Sequence, residues 1–270
     1  MISLILAKKI LSLFLVMALG IVLVRCGIVR SRDSKVLSMI SLYLVMPCVI
    51  ISSFQVKYQP EILNGLLLAL ATAVLLHLVL IVVVGFLGKV LKLDGVEETS
   101  LIYSNAGNLI IPIVTAILGK EWVIYTSAFL SVQLFLLQIQ LPAPVQDAVD
   151  SISSMVGPMG MLILGMLIAE MDLKKLMSYH RLWWITLLRL VGIPLIGIVL
   201  LKYSSLAALV PEGRTILLVT LLAICTPSAS TLTQMAQVYG KDADYASAIN
   251  VVTTLLCIVT MPLMVALYQM

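Results

Sequence analysis

Residues 104–112 read S-N-A-G-N-L-I-I-P, and residues 225–231 read C-T-P-S-A-S-T. Each stretch lies within an apolar run that is long enough to cross a bilayer. Asparagine, glycine and proline all weaken an α-helix, and polar side chains are costly in hydrocarbon. Both stretches therefore predict a local break in a membrane helix, where the freed backbone groups must be met by protein, water or ligand.

The two breaks also predict a binding site. Thr226 followed by Pro227 is typical of a helix N-cap and a first-turn proline. A half-helix that begins inside the membrane aims free N–H groups and a partial positive charge at the break, which suits a carboxylate. Proline kinks that serve only helix packing are the alternative. The predicted substrate-binding residues are Asn105, Gly107, Asn108, Thr226, Ser228 and Ser230, and the helices would cross at Pro112 and Pro227.

The composition excludes a soluble protein. The 270 residues are 61% hydrophobic and only 11% charged, with a mean hydropathy of +1.15. Soluble domains are nearer 45–50% apolar and about 25% charged. The net charge of +4 is small and spread over short loops, which indicates membrane orientation and no nucleic-acid partner. The four cysteines form no C-x-x-C pair, so neither a disulfide framework nor a metal site is indicated.

The chain therefore reads as an all-α integral membrane protein. Cations in the loops at 25–35, 89–98 and 172–181 predict that these loops are cytoplasmic. On that assignment segment 122–137 ends inside the cell and segment 155–171 begins outside. Residues 138–154 between them carry two prolines and two aspartates and are not expected to cross the membrane as a helix. We expect one span to be missing after Leu137; failure of the cation rule in one half is the alternative. The candidate segments are 4–24, 36–54, 62–88, 99–118, 122–137, 155–171, 182–201, 215–238 and 245–268.

An internal repeat relates the two halves. Residues 118–121 (L-G-K-E) and 239–242 (Y-G-K-D) each follow a predicted broken span, and prolines interrupt matched spans in both halves. The cation count gives the halves opposite orientations, which is typical of secondary transporters. We predict one transmembrane domain with a five-helix repeat over 1–137 and an inverted repeat over 138–270 that lacks its first helix.

Four further polar residues lie inside spans, and each has two interpretations. Gln133 and Asn250 follow the breaks and would line the same cavity, or would bond between helices. His77 would relay a proton, or would pack as a hydrogen-bonded histidine. Arg189 would pair with substrate, or would snorkel to the membrane interface.

Residues 104–112, 141–144 (L-P-A-P), 157–158 (G-P) and 226–262 resemble the auxin efflux carrier family. That family includes plant auxin exporters and bacterial permeases often labelled malate or malonate transporters. The resemblance covers nearly the whole chain and is specific at the two breaks. Relative to the family pattern, about one helix and its loop are missing after Leu137.

The resemblance implies ten spans in two inverted repeats, with broken fourth and ninth helices that cross. It implies organic-anion substrates and a transport domain that moves against a scaffold. Carried over by position, Asn105, Asn108, Ser228 and Ser230 would line the crossover.

We therefore expect a secondary active transporter that moves a small organic anion, such as a dicarboxylate or an auxin-like acid, by alternating access. Protons or Na⁺ would be the coupling ion, and no cofactor is expected. The protein would be a multi-pass component of a bacterial inner membrane, and a homodimer is expected by analogy. A ligand or lipid sensor that binds without transport is the alternative. A channel is a further alternative, and no motif of an intramembrane enzyme is present.

Overall fold

The computed structural model describes residues 2–53, 60–106, 110–126, 143–170 and 179–270. Three of the predicted residues, Gly107, Asn108 and Gln133, lie outside these ranges. Within the described ranges every regular secondary-structure element is a helix, and β pairing is limited to one isolated bridge. The prediction of an all-α membrane protein is confirmed.

The helices are numbered in chain order over the described residues. Two π-helical turns, Ser41–Val45 and Leu188–Gly192, continue α2 into α3 and α9 into α10. The helices are α1 Ile2–Arg25, α2 Ser34–Ile40, α3 Met46–Ser53, α4 Pro60–Leu91, α5 Gly95–Ile102, α6 Ile111–Ile117, α7 Ala143–Ser153, α8 Val156–Glu170, α9 His180–Leu187, α10 Ile193–Tyr203, α11 Gly213–Ile224, α12 Ser230–Val238 and α13 Ala243–Gln269.

Four helical stretches in the described part of the chain are long and apolar enough to cross a membrane. They are Ile62–Leu91, Ala143–Glu170, His180–Tyr203 and Ala243–Gln269. The predicted spans 99–118 and 215–238 are instead each divided into two half-helices, α5 with α6 and α11 with α12. Both predicted breaks are therefore present.

The stretch before residue 155 differs from expectation. Residues 143–153, which carry Pro144 and two aspartates, form α7. Pro144 is tolerated because it lies in the first turn, where its missing N–H has no helical partner to lose. Asp150 accepts a hydrogen bond from the Ser52 hydroxyl on α3. The prediction of a missing span concerns residues 127–142, which lie outside the described ranges, and it stays a prediction.

The two half-helices that follow the breaks end in the same way. Gly119 after α6 has a φ of 113°, and Gly240 after α12 has a φ of 65°. Only glycine adopts such angles readily, so both helices end where the G-K-acid turns predicted. The division into two inverted repeats stays a prediction.

α1 and α8 pack with their backbones in close approach at Gly20 and Gly165. A Cβ atom added to Gly20 would lie 2.5 Å from the Leu162 carbonyl oxygen and 3.1 Å from the Gly165 Cα. Small residues at such crossings let membrane helices gain dispersion contacts that lipid cannot supply. The pair joins the two halves of the chain.

α5 is held by a buried carboxylate. Asp94 caps the helix by accepting from the Val96 and Glu97 backbone N–H groups, and Glu97 accepts from the Asp94 N–H in return. Glu97 also accepts from Arg181, at 2.6 and 2.8 Å, and from the Tyr245 hydroxyl at 2.8 Å. The network ties α5 to the beginnings of α9 and α13, and so positions the first break.

We predict that Gly20→Ala lowers the free energy of unfolding by about 1–3 kcal/mol, because its Cβ meets backbone that cannot rotate away. Thermal unfolding in detergent measures the effect. The matched control is Gly85→Ala on α4, whose added Cβ meets nothing within 4 Å. It should be neutral or slightly stabilising. Equal stability of the two variants would contradict the close packing of α1 and α8.

We also predict that Glu97→Gln destabilises the protein by about 1.5–3 kcal/mol at neutral pH, since charge-assisted hydrogen bonds are lost. Burial alone would raise the pKa of Glu97, but hydrogen bonds from Arg181, the Asp94 N–H and Tyr245 lower it below its usual value. A lowered pKa makes this stabilisation complete above the ordinary glutamate pKa of about 4.3, and it is lost as pH falls through the lowered value.

The difference in melting temperature between wild type and Glu97→Gln should therefore be constant from about pH 5 to 8 and should shrink below about pH 4. Glu98→Gln is the control, because within the described residues the one ion pair is that of Glu97 with Arg181. A Glu97→Gln difference that grows towards acid pH would refute the assignment.

Candidate functional site

The two breaks meet and pair with each other. Around an antiparallel bridge between Ser104 and Ser228, the Asn105 N–H donates to the Pro227 carbonyl at 2.9 Å. The Ala229 N–H donates to the Tyr103 carbonyl at 3.2 Å. One N–H group and one carbonyl group from each break are thus satisfied by the other, as a low-dielectric interior requires. We call residues 103–105 and 227–229, with the side chains around them, the crossover.

The second break is a consequence of Pro227, which has no N–H to donate into α11. The Thr226 hydroxyl instead donates to the Ala223 carbonyl at 2.7 Å, and α11 ends at Ile224. The predicted N-cap at Thr226 is therefore wrong. α12 begins at Ser230 with Ala229 as its N-cap, because the residues between stay extended to pair with the first break.

The first break begins where Tyr103 leaves the helical conformation. α5 ends at Ile102, and Tyr103 is extended, with φ −91° and ψ 126°. Ala106 and Ile110 are π-helical, and the chain continues as α6, in whose first turn Pro112 lies. Pro112 is therefore beyond the paired strands, whereas Pro227 contributes its carbonyl to the pairing.

Apart from the exposed Tyr103, the side chains of the crossover are largely buried, and several are incompletely paired. The Ser230 hydroxyl donates to Asn105 Oδ1 at 3.2 Å, which joins α12 to the first break. Asn105 is 2% exposed and Ser228 is fully buried. Asn105 Nδ2 and the hydroxyls of Ser104 and Ser228 have no hydrogen-bond partner among the described residues. Buried polar atoms of this kind are rare and call for an explanation.

α13 closes one side of the crossover. The Ser228 N–H donates to the Thr253 hydroxyl at 3.2 Å. Asn250 lies one turn before Thr253, is fully buried, and accepts from Thr254 at 3.1 Å. Its Nδ2 has no partner in the described part of the chain. Asn250 thus lies on the helix that contacts the crossover, and its role in lining a shared cavity stays a prediction.

Sequence reasoning missed three residues here: Thr233, Gln234 and Thr253. The side-chain nitrogen and oxygen of the fully buried Gln234 both lack partners within the described residues. Gln234 and Thr233 lie four and three positions after Ser230, so all three share one face of α12. That spacing, and the Asn250-x-x-Thr253 spacing on α13, were the available signals.

His77 and Arg189 have different surroundings. His77 is half-buried on α4, with Nδ1 2.7 Å from the Ala73 carbonyl oxygen. This local contact fits the packing interpretation, and the proton relay stays untested. Arg189 is fully buried and donates to the Leu101 carbonyl at 3.0 Å. The snorkelling interpretation of Arg189 is therefore wrong.

A cavity of about 710 Å³ lies away from the crossover, where α10, α11 and the end of α13 meet. Lys202, Arg214 and Tyr268 are among its lining residues. In the described part of the chain no cluster of His, Cys, Asp or Glu is arranged to hold a metal ion. The concentration of unpaired buried polar atoms therefore distinguishes the crossover as the candidate site.

A family model described as membrane transport protein matches residues 5–141 and 124–265 of the chain. No curated protein matches the chain. The matched ranges include both breaks and the helices that pack on them. The chain therefore belongs to this family of membrane transport proteins, the auxin efflux carrier family.

Proposed function

We propose that the protein is a secondary active transporter that carries a small organic anion across the membrane by alternating access, with the crossover as its substrate site. The observation that carries the proposal is the set of buried, unpartnered polar atoms beside two paired helix breaks. Within the described residues these atoms include Asn105 Nδ2 and the Ser228 hydroxyl. A polar ligand that reaches the crossover would supply their missing partners.

The chemistry of these groups favours an anion. Asn105 Nδ2 can only donate, and the serine hydroxyl can donate after rotation. The N-terminus of α12 adds backbone N–H groups and a partial positive charge at Ser230. A carboxylate accepts several hydrogen bonds at once and gains from both features. A dicarboxylate or an auxin-like acid fits this class.

Alternating access requires that the site open to each side in turn, and Asn105 and Ser228 are buried in this structure. One contact that such motion would break joins the two halves of the chain. The Ser38 hydroxyl on α2 donates to Gln237 Oε1 at 2.9 Å, and Gln237 Nε2 donates to the Ser34 hydroxyl at 3.0 Å. Side-chain hydrogen bonds of this kind are strong enough to hold one state and weak enough to exchange.

Coupling to protons or Na⁺ also belongs to the proposal, as do the bacterial inner membrane and a homodimeric state. The buried carboxylate of Glu97 lies at the start of α5, engaged with Arg181. Glu97 was not among the residues that the sequence suggested for ion coupling. An imposed proton or Na⁺ gradient across proteoliposomes distinguishes the coupling ions.

We predict that purified protein in proteoliposomes takes up radiolabelled malonate, malate or indole-3-acetate with saturation. Asn105→Ala and Ser228→Ala should each raise the KM about tenfold or more, since each removes a hydrogen bond to a charged ligand. The control is Thr220→Val, which removes a buried hydroxyl on α11 that bonds to the Ile216 carbonyl. Its KM should stay near that of wild type.

Three outcomes would contradict the proposal. Unchanged KM in both site variants would refute the site, and flux that does not saturate would indicate a channel. Ligand-dependent stabilisation without any flux would favour the sensor.

A further inference from the structure

Arg189 is a charged residue that is fully buried within a membrane span. It lies in the His180–Tyr203 span, in the π-helical turn Leu188–Gly192, and its side chain is fully buried. Moving a guanidinium into a low-dielectric interior is strongly unfavourable unless negative charge compensates it. Within the described residues, the one ion pair joins Arg181 and Glu97, so Arg189 has no carboxylate partner there.

Arg189 bonds to the end of one half-helix and lies near the end of the other. Its Nη1 donates to the carbonyl of Leu101, in the last turn of α5. The guanidinium also lies close enough to Cys225, the C-cap of α11, for an electrostatic interaction. The last carbonyls of a helix lack helical partners and carry about half a negative charge. Arg189 thus stands where both broken helices, coming from opposite directions, end at the crossover.

This placement changes the field at the crossover. Each break brings together one helix C-terminus, which repels anions, and the chain that leads into the next helix. A full positive charge beside both C-termini offsets their partial negative charges. The N-terminus of α12 and the hydrogen-bond donors of Asn105 and Ser228 then attract an anion without repulsion from the two helix C-termini. Arg189 Nε and Nη2 also have no hydrogen-bond partner among the described residues, so two of the three guanidinium nitrogens are still able to donate.

We propose that Arg189 is the positioning residue that gives the crossover its preference for anions, by neutralising the C-terminal ends of α5 and α11. The inference rests on the proposed function and deepens it, because it assigns the charge of the substrate to a named residue. Arg189 acts through the two half-helices, and direct contact with the substrate is not required.

The test compares Arg189→Met and Arg189→Lys in proteoliposomes with radiolabelled malonate. Arg189→Met removes the charge but keeps a long side chain, and we expect its KM to rise at least tenfold in the folded fraction. Arg189→Lys keeps the charge, and its KM should stay within about threefold of wild type. The control is Lys202→Met, which removes an exposed cation from the far end of the same span.

A purely structural role would give a different pattern. Both Arg189 variants would then melt at lower temperature and yield less folded protein, while the KM of the folded fraction would not change. That result, or an equal rise in KM for Lys202→Met, would overturn the inference and leave the proposed transporter intact. Wild type that neither takes up malonate nor is thermally stabilised by it, with malate and indole-3-acetate equally inert, would overturn both.

Discussion

Pairing of backbone hydrogen-bond groups inside the membrane is the constraint on which the rest of this structure depends. Two helices stop short of crossing, and the groups that they release bond to each other through Asn105 with Pro227 and Ala229 with Tyr103. Unpaired, each such group would cost several kcal/mol in hydrocarbon. The pairing stabilises the interruption, and it brings the ends of α5 and α11, the start of α12, three serines and an asparagine to one place.

The surrounding elements serve to hold that place. The Glu97 network fixes the start of α5, and Thr253 on α13 accepts from the Ser228 backbone. Arg189 bonds to the end of α5. Together these contacts hold the backbone of the crossover in place, while several of its side chains keep unused hydrogen-bonding capacity. This combination of a rigid frame and unpaired side chains is expected of a ligand site.

The sequence predicted the location of both breaks because proline, glycine and asparagine act locally. Pro227 cannot donate into a helix wherever it stands, so the interruption near it needed no knowledge of the fold. The N-cap at Thr226 failed because the residues after it are held extended by a partner about 120 positions away, which no local rule contains. Glycines 119 and 240 were predictable for the same local reason as the prolines.

Long-range electrostatics were the least predictable part. The sequence predicted that Arg189 pairs with substrate or reaches the membrane surface. Only the fold shows that two helix ends lie near it. Glu97 resembled a loop residue beside other charges, yet it is buried by partners from α9 and α13. The polar face of α12 was visible in the spacing of Ser230, Thr233 and Gln234, but its burial depended on packing. Whether a span is absent after Leu137 stays a prediction.

The most direct test of the account is an experimental structure with a heavy-atom-labelled anion, such as bromomalonate, whose bromine is located by anomalous scattering. The account predicts a bromine peak at the crossover, with a carboxylate oxygen within hydrogen-bonding distance of Asn105 or Ser228. A labelled anion bound only elsewhere, with the crossover still closed around unpartnered side chains, would contradict it.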